Sequence, residues 1–274
     1  MRVDDLARFI LAREAHRKGF TPDPIIREYR FCNVRREDDR VTKWIAENWR
    51  EPRLTDPFLW FAMAVARLLN LPDSLSAIGY PVPWEPERVK GFLHARKKLG
   101  FKNFNAAYIV STNGVKMDKI DYICDFVLSP LWRKRVDIAK ALDGATLAKA
   151  HAALEAQPGL GSFLAAQLVA DLKYTPALVA ANDWATFAAS GPGSRRGMNR
   201  VMQRDLKAPW KEADWRAAMD KLRPALLKKL PRSLKNLHAQ DVQNCLCEFD
   251  KYERARLGEG RPKQKYVPHE EKKA

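Results

Sequence analysis

Apolar residues recur at three- and four-residue spacing along almost the whole chain, while period-two alternation is scarce. That pattern restricts the chain to packed helices, because strands half-buried in a sheet need the alternation. Helices are predicted over 3–19, 36–49, 57–71, 85–98, 118–127, 130–142, 145–155, 161–172, 209–229 and 233–252. Only "AAYIVST" (106–112) reads ambiguously as strand or helix. Prolines and glycines fall mainly between these segments, and no fixed-period repeat appears. From Gly258 the sequence turns polar and aperiodic, as expected of an extended tail that orders on a partner. The expectation is an all-α fold, with one helical domain over 1–257 and a basic tail over 258–274.

The charge is lopsided. Lys and Arg total 49 against 33 acids, a net of +16, and the excess concentrates at 195–235, where 13 basic residues face 4 acidic ones. A polyanionic partner follows, with nucleic acid first among candidates. Cys32, Cys124, Cys245 and Cys247 fit neither a zinc nor an iron–sulfur spacing, so free thiols and no metal centre are expected. The most apolar run, "FLWFAMAVARLLNL" (58–71), is short and carries Arg67, so it reads as a core helix rather than a membrane span. A soluble cytoplasmic protein with no membrane partner is expected.

Two stretches carry the chemistry. "GPGSRRG" (191–197) combines glycines, which let a backbone approach an anion, with two arginines of the kind that grip phosphate. A basic surface turn is the plainer reading. "LEAQPGLGSFLAAQLVADL" (154–172) ends one helix, turns through Pro158-Gly159-Leu160-Gly161 and starts another. Gly159, Gly161 and Ser162 would offer backbone N–H groups to a DNA phosphate, or merely close an αα-turn. Asp183, in "AANDWATF", lies 22 residues past Gly161.

The hairpin at about 145–172 and the downstream aspartate resemble the helix–hairpin–helix DNA glycosylase superfamily. Phe163 stands where bifunctional members carry a lysine, which argues against lyase chemistry. "YRFCNVRREDDRVTKWI" (29–45), "GPGSRRGMNRV" (191–201) and "QNCLCEFDKYERARLGEGRPKQKY" (243–266) resemble the phage thymidine-hypermodification family, the α-glutamyl/putrescinyl-thymine pyrophosphorylases or amino acid:DNA transferases. The resemblance covers most of the chain. It implies a phage-encoded enzyme of the infected host cytoplasm that binds double-stranded DNA with modified thymidine. Such an enzyme replaces the pyrophosphate of 5-pyrophosphoryloxymethyluracil with an amino acid or polyamine.

On that resemblance, Gly191, Gly193, Ser194, Arg195 and Arg196 would hold the leaving pyrophosphate. Asp183 would deprotonate the nucleophile or stabilise charge on the methylene; its plainer role is capping a short following helix. Asn33, Arg36 and Asp39 would rim the pocket, or Glu37, Asp38 and Asp39 would help hold Mg²⁺ on the diphosphate; the run "NVRREDDR" also reads as a solvated helix start capped by Asn33. Gln243, Asn244, Glu248 and Lys251 would greet the incoming substrate, on a helix whose Leu246 and Phe249 face the core. Arg200, Arg204 and the basic helices at 207–229 would track DNA phosphates. Two other readings stand beside this one: a monofunctional glycosylase for a modified base, and a non-catalytic DNA-binding helical subunit, for instance of a kinase. No GxxxxGK[ST] loop occurs, so the chain is not itself a P-loop kinase.

Overall fold

The structure is a computed structural model that describes residues 1–105, 112 and 114–266. The described residues are all-helical; their one β-type contact is an isolated antiparallel bridge between Tyr29 and Lys265. Most of the ambiguous 106–112 segment and the last eight residues lie outside the described set. The chain forms two compact units, Met1–Asp39 with Ala185–Ala274, and Arg40–Trp184.

In chain order, α1 (Val3–Arg17) and α2 (Pro24–Glu28) open the first unit. The second unit begins with α3 (Arg40–Ile45), which runs on as a π-helical turn, then α4 (Leu59–Leu69), α5 (Pro72–Ile78) and α6 (Pro86–Lys98). It continues with α7 (Lys119–Asp121), a π-helical stretch Tyr122–Leu128, α8 (Ser129–Arg133), α9 (Arg135–Leu142), α10 (Leu147–Glu155) and α11 (Gly161–Leu172). The chain then returns to the first unit with α12 (Pro192–Met202), α13 (Glu212–Lys229) and α14 (Ala239–Arg256).

The predicted loop at 191–197 is a helix. Pro192 occupies its first turn, where a missing N–H costs nothing and the fixed φ suits the helix. Ser194 turns back on Gly191, accepting from its N–H at 2.9 Å and donating to its carbonyl at 3.0 Å. α2 and α5 also begin at prolines and were missed by the periodicity. No helix follows Asp183; residues 182–186 form turns. The run at 36–49 divides into a 3₁₀ turn, α3 and a π turn, and the predicted helix at 233–252 starts only at Ala239 and extends to Arg256.

The core of the first unit gathers helical faces that repeat at the expected spacing. Trp215, Met219, Leu222 and Leu226 of α13 meet Leu6, Phe9 and Ile10 of α1 and Val242, Leu246 and Phe249 of α14. α12 lies unusually close to α14. A Cβ on Gly197 would sit 2.0 Å from the Leu246 carbonyl oxygen, and one on Gly193 would sit 2.3 Å from Cys247 Sγ. The two glycines, one turn apart, are what allow the contact.

The second unit is organised on α4, every residue of which is buried. That face includes Arg67, whose guanidinium bonds both carboxylate oxygens of Asp171 on α11 at 2.6 and 2.7 Å, Asn70 at 3.0 Å and Thr42 at 2.9 Å. All of this charge is satisfied, so the buried pair is tolerated; removing one partner would cost about 3–5 kcal/mol. No helix among the described residues is long and apolar enough to cross a membrane.

The glycine contacts make a prediction about stability. Gly193→Ala should lower the urea midpoint by an amount equivalent to about 1–3 kcal/mol, and Cys247→Ala in the same chain should restore much of the loss. Gly197→Ala should cost at least as much with no rescue at Cys247, because its obstacle is backbone. Equal midpoints for the wild type and both glycine variants would contradict the close approach.

Candidate functional site

The residues singled out in the sequence fall in two places. Those of 29–39, α12 and α14 meet in the first unit; Asp183 and the hairpin glycines belong to the second.

α14 presents a different polar row to each neighbour. Asp250, fully buried, receives Arg196 Nε at 2.8 Å and Arg200 Nε at 2.9 Å from α12, with Arg254 at 3.5 Å from its own helix. Arg200 also pairs with Glu259. Its side chain is 4% exposed, which corrects the expectation that it tracks DNA from the surface. Arg196 is different: 41% exposed, it keeps one side open to solvent.

Arg195 is 43% exposed, bonds Ser190 Oγ at 2.7 Å and reaches Glu212 at 3.3 Å. Burial pushes the Glu212 carboxyl up, but hydrogen bonds from Ser190 and the nearby Arg216 and Arg195 hold it below the ordinary range. Glu212 therefore stays ionised and keeps Arg195 positioned. Sequence reading missed Glu212 and Asp250 as partners, since each lies more than a dozen residues from its arginine.

The residues predicted to greet the substrate do converge. Asn244 donates to the Asn33 carbonyl at 3.2 Å, and Glu248 accepts from the Cys32 N–H at 2.9 Å. Lys251 pairs with Glu248 at 2.5 Å and donates to the Arg30 carbonyl at 2.9 Å. Asn33 accepts from Arg13 at 2.9 Å and donates to the Asp38 carbonyl at 2.8 Å, and the Arg36 N–H donates to Asp241. These polar atoms hold the backbone of 30–38 against α14. Asn33 thus ties that segment together by its side chain instead of capping α3. Gln243 faces Gly191, its Nε2 being 3.9 Å from where a Cβ would stand. Asp39 is half-buried at the end of the 3₁₀ turn.

All four cysteines are free. Burial pushes the Cys245 thiol well above its ordinary value and Cys247 up to about 11, so neither is a ready nucleophile near neutral pH.

In the second unit, Asp183 accepts from the Leu147 N–H at 2.7 Å and the Ala148 N–H at 3.0 Å. It therefore caps α10 across 36 residues of sequence, where the sequence suggested a helix just after it. Thr146 completes the cap, accepting from the Lys149 N–H at 3.1 Å. Gly159 has φ +83°, and a Cβ there would meet Val127 at 2.6 Å, so this glycine serves packing. Gly161, at φ +54° with open space around it, and Ser162 are exposed at the start of α11. Arg204 is exposed, its guanidinium 3.9 Å above the Trp210 ring.

Among the described residues, His94, Asp118 and Asp121 bring potential metal-ligand atoms within 4.8 Å of one another. Each already has a partner: His94 bonds Asp121 at 2.8 Å and Lys97 pairs with Asp118. A cavity of about 360 Å³, walled by Leu54, Trp60, Leu142 and Leu178, contains none of the predicted site residues.

Residues 8–261 match the family described as the 5-hmdU DNA kinase, helical domain. The chain belongs to this family. A 5-hmdU DNA kinase of Bacillus phage SP10 is 25% identical over 221 residues, which are 68% of this chain and 32% of that protein. The chain thus spans about a third of the length of that curated relative. No solved structure matches.

The capping geometry is directly testable. Asp183→Ala should destabilise the protein by about 1–2 kcal/mol, the usual cost of a lost cap, and Asp183→Asn by less because one acceptor oxygen remains. Thermal melts of the three proteins check this; indistinguishable melting points would remove the cap.

Proposed function

We propose that this chain acts on DNA in phage thymidine hypermodification, displacing pyrophosphate from 5-pyrophosphoryloxymethyluracil with an amino acid or polyamine. Membership of the helical-domain family and the similarity to a 5-hmdU DNA kinase support action in thymidine hypermodification; the displacement step itself rests on the resemblance carried by 29–45, 191–201 and 243–266. In the proposed step, double-stranded DNA binds along the basic surface and the modified base leaves the stack, at a cost of a few kcal/mol. An amine nitrogen forms a bond to the C5 methylene as the carbon–oxygen bond breaks. The bonding electrons leave with pyrophosphate, and the amine proton passes to a base or to solvent.

Arg195 and Arg196 are the proposed pyrophosphate donors. Both are half-exposed beside the first turn of α12, near the partly exposed Gly191 and Gly193, and each can exchange one carboxylate contact for a phosphate oxygen. Ser194, expected to join them, is buried with its hydroxyl engaged by Gly191. Donors aimed where charge accumulates act mainly on the transition state. Eight basic side chains of 204–235, from Arg204 to Lys235, are exposed and support phosphate tracking. Gly161 and Ser162 would add backbone contacts. Pyrophosphate brings its own demand for Mg²⁺, and added chelator measures that dependence.

A second reading is supported by the family's description as a helical domain: a DNA-binding module that presents modified thymidine to a separate kinase. Product analysis separates them. Duplex DNA carrying 5-pyrophosphoryloxymethyluracil, incubated with the chain and a pool of amino acids and polyamines, should yield free pyrophosphate and a heavier nucleoside. Binding without a new nucleoside would favour the module, and abasic sites would favour a glycosylase.

Two further outcomes are expected. Arg195→Ala and Arg196→Ala should each lower kcat about 10-fold or more, the effect of losing a charge-assisted hydrogen bond, with a much smaller change in DNA affinity. Parallel losses in both quantities would assign the arginines to the DNA backbone. DNA affinity itself should fall with log salt at a slope of about −0.9 per phosphate neutralised; salt-insensitive binding would contradict the basic surface.

A further inference from the structure

The sequence from Arg88 to Phe104 contains six basic residues and no acidic ones. α6 divides them between two faces. On one, Lys90 bonds Asp125 at 3.1 Å, His94 bonds Asp121 at 2.8 Å and Lys97 pairs with Asp118, a ladder that fastens α6 to α7 and the π-helical stretch. The acids of that neighbour are all engaged there. The outer face carries Arg88, Phe92, Ala95 and Leu99 at helical spacing, all exposed.

The helix then ends at Gly100, φ +80°, where the Gly100 N–H bonds the Lys97 carbonyl and the Phe101 N–H bonds the Arg96 carbonyl. This reversal lays Phe101 back beside the helix end. Arg88, which pairs with Glu85 at 2.6 Å, lies 5.8 Å from the Phe92 ring centroid. Arg96, which bonds Asn103 and the Lys102 carbonyl, lies 5.4 Å from that of Phe101. Both rings are nevertheless 43% and 58% exposed. Lys98 and Lys102 are exposed beside them, with no ion pair among the described residues.

From this arrangement we infer that the outer stripe of α6 with Phe101 is a DNA-contact surface that stacks unpaired bases. Exposed rings flanked by guanidinium planes and unpaired lysines combine the two things single-stranded nucleic acid needs: a π-face for the base and positive charge for the backbone. A protein partner would have to bring acidic groups to the same stripe, whereas DNA carries them in every repeat. The inference rests on the reading of the chain as DNA-acting, and it adds recognition of a locally opened strand.

The test measures binding by fluorescence anisotropy to a duplex and to the same duplex with a five-nucleotide unpaired bubble. The full chain should prefer the bubble. Phe92→Ala with Phe101→Ala should weaken bubble binding about fivefold or more, the low end of base–aromatic stacking, and leave the duplex nearly unchanged. Phe92→Tyr with Phe101→Tyr keeps both rings and should keep the preference. Bubble binding equal to wild type in the alanine variant would overturn the inference alone, as would an equal loss on both DNAs. Unchanged DNA binding with altered self-association would also overturn it, marking the stripe as a protein contact. Failure of the wild type to bind either DNA would overturn the DNA-acting reading as well.

Discussion

The contact between α12 and α14 is the constraint on which the first unit depends. Two glycines one turn apart bring the helix backbones together, and no side chain fits between Gly197 and the Leu246 carbonyl. That approach sets Arg196 and Arg200 onto the buried Asp250. A fully buried carboxylate without such partners would be strongly unfavourable, so the glycines and the arginines stabilise one another's placement. The same arrangement leaves Arg196 half in solvent, able to trade a carboxylate contact for a phosphate one.

The second unit solves a similar problem differently. Arg67 sits in an otherwise apolar helix and is fully satisfied by Asp171, Asn70 and Thr42. On the surface of that unit, Lys90, His94 and Lys97 bind acids along one side of α6, while the other carries exposed rings beside Arg88, itself paired with Glu85. Asp183 holds the start of α10. A structural cap at that aspartate means that loss of activity on its replacement does not by itself assign it a chemical role.

Much of this was legible from periodicity. The apolar faces of α1, α4, α13 and α14 repeat at helical spacing, and the row Asn244, Glu248, Lys251 could be placed on one face of α14 from the same pattern. What failed was punctuation. Pro24, Pro72 and Pro192 were read as breaks, yet each begins a helix, because the first turn is where proline is compatible with one. The glycines of 191–197 looked like exposed backbone for an anion, whereas Gly193 and Gly197 face a neighbouring helix. That difference depends on contacts with Leu246 and Cys247, far along the sequence. Asp183 pairs across 36 residues and Arg196 across 54, separations at which no local pattern signals a partner. The run from Arg88 to Phe104 carried a readable signal in its acid-free charge, which the helical pattern overshadowed.

The proposed phosphate site at the start of α12, with Arg195 and Arg196 as donors, can be probed without any DNA substrate. Hydrogen exchange of the full chain with and without inorganic pyrophosphate tests it most directly. Slowed exchange is expected in the peptide spanning Ser190 to Arg196, lost in the Arg195→Ala, Arg196→Ala double variant. Protection confined to other segments, or none at saturating pyrophosphate, would contradict it.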